Sequence, residues 1–205
     1  MPSVYIVDDD DISRDWFYEA LAFLPAVNVV TFPSGESFLA ARPDIQPGVV
    51  LLDLRMPTMS GLDTMAQYGE DLGKFPTIVM SAAGDIGNAV RAMQLGAMDF
   101  IEKPCPPPSL YEKIRPAFAR LEERQRLEDM QTDSATRFSQ LSAREAEVLK
   151  LLIDGQANRA IADKLRLSVR TVEVYRGKLM MKLGVNSLPE AIKLAYASGF
   201  VELAM

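Results

Sequence analysis

The chain is 205 residues long, 48% apolar, and holds 28 acids against 22 bases for a net charge of −6. Its single cysteine, Cys105, excludes an internal disulfide and a cysteine-built metal site, and the absence of histidine excludes Ser-His-Asp catalysis, His-ligated zinc and an internal phosphohistidine. No apolar run reaches the roughly 18 residues of a membrane helix. Val4–Val7 is too short for a signal peptide and has no basic flank, so the chain reads as cytoplasmic, with no membrane partner.

The charge is uneven. Residues 1–108 hold 15 acids and 6 bases, residues 109–137 hold 6 of each, and residues 138–205 hold 7 acids and 10 bases. An acidic half is thus joined through a balanced segment to a mildly basic half, which suggests nucleic acid at the basic end. A local excess of three bases does not decide this by itself, because solvated surfaces vary by as much.

In chain order, Val4–Val7 reads as a buried strand and Ile12–Leu24 as a helix. Val27–Phe32 is a second strand, and Ser34 can cap a helix ending near Ala41. Val49–Leu52 is the third strand and Gly61–Tyr68 a helix. Thr77–Met80 is the fourth strand, with Asp85 placed to cap a helix to Leu95. Ala97–Ile101 is the fifth, and Ser109 opens a fifth helix. Continuous apolar strands alternating with helices predict an α/β fold, a five-stranded doubly wound parallel sheet. From Leu110 to about Gln131 the pattern stays helical, although Pro116 should kink or break it. Thr132–Gln140 is polar and reads as a flexible linker. The last 65 residues give four helical segments: Ser142–Ile153, opened by a Ser142/Glu145 capping box and closed by Gly155; Asn158–Leu165; a longer one capped by Ser168 and stopped at Gly184; and one from Ser187.

In an open parallel sheet, ligands bind at the carboxyl ends of the strands. Here those ends carry Asp8-Asp9-Asp10-Asp11, Asp53, Ser81 and Lys103-Pro104. Clustered carboxylates repel and call for a cation, and hard oxygen ligands suit Mg²⁺. A cation beside Asp53 would favour the approach of a phosphoryl group, with Lys103 and Ser81 able to meet its oxygens. A lone aspartate at a strand end is as readily a helix cap, and four in a row can be a solvated turn. The joint placement on four strands is what favours the phosphoryl reading.

These residues resemble the receiver domain of two-component response regulators over about residues 1–120. The matching motifs are Val7-Asp8-Asp9-Asp10, Leu52-Asp53-Leu54-Arg55-Met56-Pro57 followed by Ser60-Gly61, Met80-Ser81-Ala82 and Glu102-Lys103-Pro104. The resemblance implies a flavodoxin-like receiver with Asp53 as phosphoacceptor. It also implies that Asp8, Asp9, Asp53 and the Arg55 backbone carbonyl bind Mg²⁺, that Ser81, Phe100 and Lys103 form the phosphoryl switch, and that Lys103-Pro104 is cis. From the residues alone, Phe100 can also be a core or edge-strand aromatic. Arg55 and Ala83 fill positions that tune phosphoryl lifetime in that family, and Ala83 offers nothing to orient a water, so slow self-hydrolysis is expected.

Residues 158–177 have helix-turn-helix spacing: Ile161, Ala162 and Leu165 give one apolar face, and Val172 and Leu179 bury the second helix. Arg170, Arg176, Lys178 and Lys182 can neutralise phosphates, Thr171 and the amides at the helix start can bind one, and Glu173 and Val174 can face base edges. The periodicity alone fits a four-helix packing module with a solvated basic face as well. Leu141-Ser142-Ala143-Arg144-Glu145, Gly155, Asn158, Ile161-Ala162, Leu165, Ser168, Thr171-Val172-Glu173 and Lys182-Leu183 resemble the LuxR-type output domain, over about residues 138–201. This adds an all-α four-helix helix-turn-helix domain, and Arg170–Arg176 most resembles FixJ-type members of the NarL/FixJ class. The expected organisation is a receiver at 1–120, a partly helical linker at 121–137 and a DNA-binding domain at 138–205.

The resemblance implies a transcription factor rather than an enzyme, with Asn158 among the DNA contacts. It further implies a sensor histidine kinase as donor, promoter DNA and RNA polymerase as partners, and a homodimer on phosphorylation. Two other readings stay open on the residues: a ligand-controlled LuxR-type regulator, which needs a greasy pocket in the first half, and a phosphatase or phosphotransferase using Asp53 as nucleophile. The latter usually needs a second acid two residues on, where this chain has Arg55.

Overall fold

The computed structural model describes residues 1–22, 24, 27–82 and 84–201, the side chain of residue 70 excepted. Ala83, on which slow self-hydrolysis was expected to rest, lies outside the described residues. The chain forms two compact units, residues 1–124 and 125–205. Among the described residues no helix is long and apolar enough to cross a membrane.

The first unit is a five-stranded, all-parallel sheet: β1 Ser3–Val7, β2 Asn28–Phe32, β3 Gly48–Asp53, β4 Thr77–Ala82 and β5 Asp99–Lys103, in the order β2-β1-β3-β4-β5. Alternate side chains of the central strands serve two separate cores. Ile6, Leu51, Met80 and Ile101 pack with Phe17 and Leu21 of α1 (Asp11–Ala22) and with Leu110 and Ile114 of α5 (Pro107–Ser139). Tyr5, Val7, Leu52 and Val79 pack on the other side with Phe38 of α2 (Gly35–Ala41), Met65 and Tyr68 of α3 (Gly61–Tyr68) and Ala92 of α4 (Ile86–Gln94). Burial on both faces explains why these strands are continuously apolar rather than alternating.

Four sequence expectations need correction. The fifth strand begins two residues later than Ala97, because Gly96 turns the chain at φ +100° and the Ala97 amide bonds back to the Ala92 carbonyl at 3.0 Å. The shift carries Glu102 and Lys103 into the strand. Asp85 occupies the N-cap position of α4, but its side chain accepts no backbone amide of that helix. Pro116 does not break α5, which is continuous from Pro107 to Ser139. The proline removes one N–H, but Leu110, Ile114 and Ala117 around it are buried against the sheet and hold the turn. Finally, Thr132–Gln140 is helical up to Ser139 instead of a flexible linker. Its end is fixed by Phe138, stacked on Phe200 at 4.5 Å, and by Arg137, whose Nη1 donates to the Leu183 carbonyl at 2.9 Å.

Besides the end of α5, the second unit contains α6 Ala143–Ile153, α7 Asn158–Leu165, α8 Val169–Leu183 and α9 Leu188–Ala197. Val148, Leu152, Ile161, Val172, Leu179 and Ala191 make one core. The Ser142/Glu145 capping box forms, Ser168 and Ser187 cap α8 and α9, and Gly184 ends α8 in the left-handed region at φ 67°. Between α7 and α8 the chain turns on Arg166, also left-handed at φ 57°, with the Leu167 amide bonded to the Ala162 carbonyl at 2.8 Å.

Candidate functional site: an acid pocket and a helix-turn-helix

Parallel register brings the strand ends together: Val7 lies opposite Leu52, Asp53 opposite Met80, and Ala82 opposite Lys103. Asp8 is fully buried just past β1 and Asp53 is buried at the end of β3. Lys103 crosses to both, its Nζ donating to Asp8 Oδ2 at 2.6 Å and Asp53 Oδ1 at 2.7 Å. Asp53 Oδ2 accepts from the Arg55 backbone amide at 3.0 Å, and Asp9 stands exposed at the rim. The Lys103–Pro104 bond is cis.

Two residues that the motif reading passed over complete the pocket. Ser13 Oγ donates to Asp8 Oδ2 at 2.7 Å, and Arg14 Nη1 donates to the Asp8 carbonyl at 2.7 Å. Arg14 also pairs with Asp11. Their only sequence signal is position in the first turn of a helix that follows the acidic strand end.

Burial pushes the Asp53 carboxyl above the ordinary carboxylate range, even though Lys103 pulls it down; the charge of Asp8 adds to the rise. Burial acts against the Lys103 ammonium as well, but its bonds to Asp53 and Asp8 outweigh that and hold its pKa above the usual lysine value. The pocket holds more negative charge than one ammonium offsets. Asp8, Asp9 and Asp53 each present an oxygen, all within 4.8 Å of one another. Three hard, converging oxygens with an unbalanced negative charge fit a small divalent cation.

The other two switch candidates are near but turned elsewhere. Ser81 is buried, and its hydroxyl donates to the Ala82 carbonyl at 3.2 Å rather than to Asp53. Phe100 is 45% exposed on β5, with Lys113 Nζ 5.3 Å from its ring centre. Both line a cavity of about 210 Å³ with Asp85, Ile86 and Ala89.

In the helix-turn-helix, Arg170, Glu173, Val174 and Lys178 are exposed along α8. The Thr171 hydroxyl meets that of Ser168 at 2.7 Å at the start of the helix. Arg176 Nη1 donates to Asn158 Oδ1 at 2.9 Å, so these two candidates tie α8 to α7. Lys182 braces α8 against the start of α6, its Nζ donating to Glu145 Oε2 at 2.6 Å and to the Gln140 carbonyl at 3.1 Å. The hydrogen bond from Lys182, with the Ser142 amide behind it, holds the Glu145 carboxyl below its ordinary range.

Residues 4–115 match the response regulator receiver domain family, and residues 139–195 match the bacterial regulatory proteins of the luxR family. The transcriptional regulatory protein FixJ of Rhizobium meliloti is 40% identical over 201 residues, covering 97% of each chain. The solved response regulator StyR superposes with a TM-score of 0.80 at 35% identity, over 95% of this chain and 98% of its own. Full-length FixJ from B. japonicum superposes with a TM-score of 0.58 at 36% identity, over 98% of both.

Proposed function

The chain belongs to the response regulators that join a receiver domain to a LuxR-type output domain and act as transcription factors; from that premise we propose that Asp53 is its phosphoacceptor and α8 its DNA-reading helix. The observation that carries this reading is the meeting of Asp8, Asp9, Asp53 and Lys103 Nζ at the ends of three strands.

A sensor histidine kinase supplies the phosphoryl group, since this chain has no histidine of its own. An Asp53 carboxylate oxygen attacks phosphorus, the P–N bond to the donor imidazole breaks, and an acyl phosphate forms. Lys103, already on Asp53 Oδ1, is positioned to accompany the added phosphoryl oxygens, and the Arg55 amide fixes the other carboxylate oxygen. Asp8, Asp9 and Asp53, with the Arg55 carbonyl, would hold Mg²⁺, which when bound offsets charge on the transferring group. Ser81 would then turn from the Ala82 carbonyl toward the phosphoryl group, and Phe100 would enter the cavity they share. The change at α4 and β5 favours a receiver homodimer, which presents two output domains to promoter DNA in the cytoplasm. Arg55, two residues beyond Asp53, supplies no second acid, so the acyl phosphate serves as a signal rather than a turnover intermediate.

Incubating the whole chain with acetyl phosphate and Mg²⁺ tests this. One phosphoryl group should add to the intact mass, tighten binding to promoter DNA, and be lost in Asp53→Asn or with excess chelator. Equal phosphorylation of Asp53→Asn would overturn it.

A further inference from the structure

Helices α2, α3, α6, α8 and α9 begin alike: a serine at the N-cap accepts a hydrogen bond from the amide three residues on. α4 has an aspartate in that place, a residue that caps as well as serine. Yet the Asp85 side chain takes no backbone amide of α4. Its Oδ1 takes a 2.9 Å bond from the Asn88 side-chain amide, and its Oδ2 is buried without a hydrogen-bond partner among the described residues. Arg55 Nε lies 3.9 Å from that oxygen. A buried oxygen without a donor and an uncapped helix start are both unfavourable. Both would be relieved if Asp85 turned onto the Asn88 backbone amide. Asp85 also stands at φ −90°, ψ 42°, outside the extended backbone of the five capped starts, and the charge on Arg55 beside its Oδ2 favours that arrangement.

Arg55 has an alternative of its own. Its side chain is 63% exposed, and its backbone amide already reaches Asp53. With Asp9, Asn88 and Arg91 it lines an open cleft of about 620 Å³ beside the acid pocket, which gives the guanidinium room to swing. Asp85 lines the cavity shared by Ser81 and Phe100.

We infer that Arg55 and Asp85 form a latch: with Asp53 unmodified, Arg55 holds Asp85 off the α4 cap, and a phosphoryl group on Asp53 draws Arg55 away so that Asp85 caps α4. The inference rests on Asp53 as the phosphoacceptor. A phosphoryl group brings about two negative charges and three acceptor oxygens close to Arg55, a stronger attraction than one carboxylate at 3.9 Å. Arg55 is then a positioning residue, acting on α4 through Asp85 and making no bond in the chemistry.

The readout is hydrogen exchange at the Asn88 backbone amide in the whole chain, with and without acetyl phosphate and Mg²⁺, while intact mass follows modification. Phosphorylated wild type should exchange about fivefold more slowly there, the scale of one N-cap bond. Arg55→Ala and Asp85→Ser should show that slowing without phosphorylation, since one removes the restraint and the other caps without charge. Asp85→Ala should exchange rapidly in both states. Opposite results for two substitutions at Asp85 separate a latch from a static ion pair, which both would simply break. Fully phosphorylated wild type with unchanged Asn88 exchange, or unmodified Arg55→Ala that exchanges like wild type, overturns the latch. If Asp53 takes no phosphoryl group, the preceding reading fails and with it the release step, while unmodified Arg55→Ala and Asp85→Ser still decide whether Arg55 holds Asp85 off the cap.

Discussion

Gly61 stands where the backbone leaving Asp53 is most crowded. Its amide bonds to the Leu54 carbonyl at 3.1 Å. A Cβ added there would lie 2.9 Å from Leu54 Cα and overlap the Asp53 carbonyl oxygen, and both are backbone atoms that cannot rotate away. Gly61→Ala should lower stability by about 1–3 kcal/mol, the usual cost of overpacking. It should also reduce phosphoryl uptake, because relief requires moving Asp53; a denaturant midpoint and an intact-mass time course measure the two. Glu145 makes a second prediction at this scale. Its carboxyl is held below the ordinary range by Lys182 and by the Ser142 amide, so folding favours its charged form. That contribution is present above the unfolded carboxyl value, near 4.5, and is lost as pH falls through the lower folded value. Hydrogen exchange of α6 should therefore show Glu145→Gln weaker than wild type at neutral pH, with the gap closing in acid. The two residues differ in legibility. Asp8 and Asp53 stand out in the sequence because each directly follows a short apolar run, Lys103 because it lies two residues past Ile101 at the end of the fifth such segment, and strand ends meet. Lys182 does not, because a lysine on a basic helix looks the same in sequence whether it faces a phosphate or a carboxylate 37 residues back.

Elements were legible where the local signal and the packing agreed. The capping serines at Ser34, Ser142, Ser168 and Ser187 each start a helix as expected. Pro116 misled because the cost of a missing N–H is local, whereas the burial of Leu110, Ile114 and Ala117 that outweighs it comes from distant strands. The start of β5 misled because apolar Ala97 belongs to the turn that ends α4, not to the sheet. The turn between α7 and α8 also gives no sequence warning, since arginine is not a residue suited to left-handed backbone. That conformation costs a side-chain-bearing residue about 1 kcal/mol, which glycine avoids. Arg166→Gly should raise the stability of the helix-turn-helix by up to about 1 kcal/mol, read as slower exchange of its core amides. Faster exchange would mean that the exposed Arg166 side chain contributes more than its backbone costs.

For the molecule as a whole, DNA binding must work against an overall charge of −6, so the basic excess of residues 138–205 has to act locally. Arg170 and Lys178 are exposed on α8, while Lys182 is already paired. Each phosphate contact contributes about 0.9 to the slope of log affinity against log salt. Replacing Lys178 by alanine should lower that slope by about one contact, and Lys182→Met should leave it unchanged. Equal loss from both would mean that the Glu145 pair opens on DNA.

The reach of Lys103 also has a meaning in time. Its two ion pairs span 95 and 50 residues, so the acids at the ends of β1 and β3 leave the ribosome well before the cation that holds them together. Until residue 103 emerges, pairing of β1 with β3 brings Asp8 and Asp53 together without the ammonium that later bridges them. The fifth strand is therefore more than the sheet's edge: it brings the cation that bridges the two acids, and a chain stopped short of it holds them without that bridge.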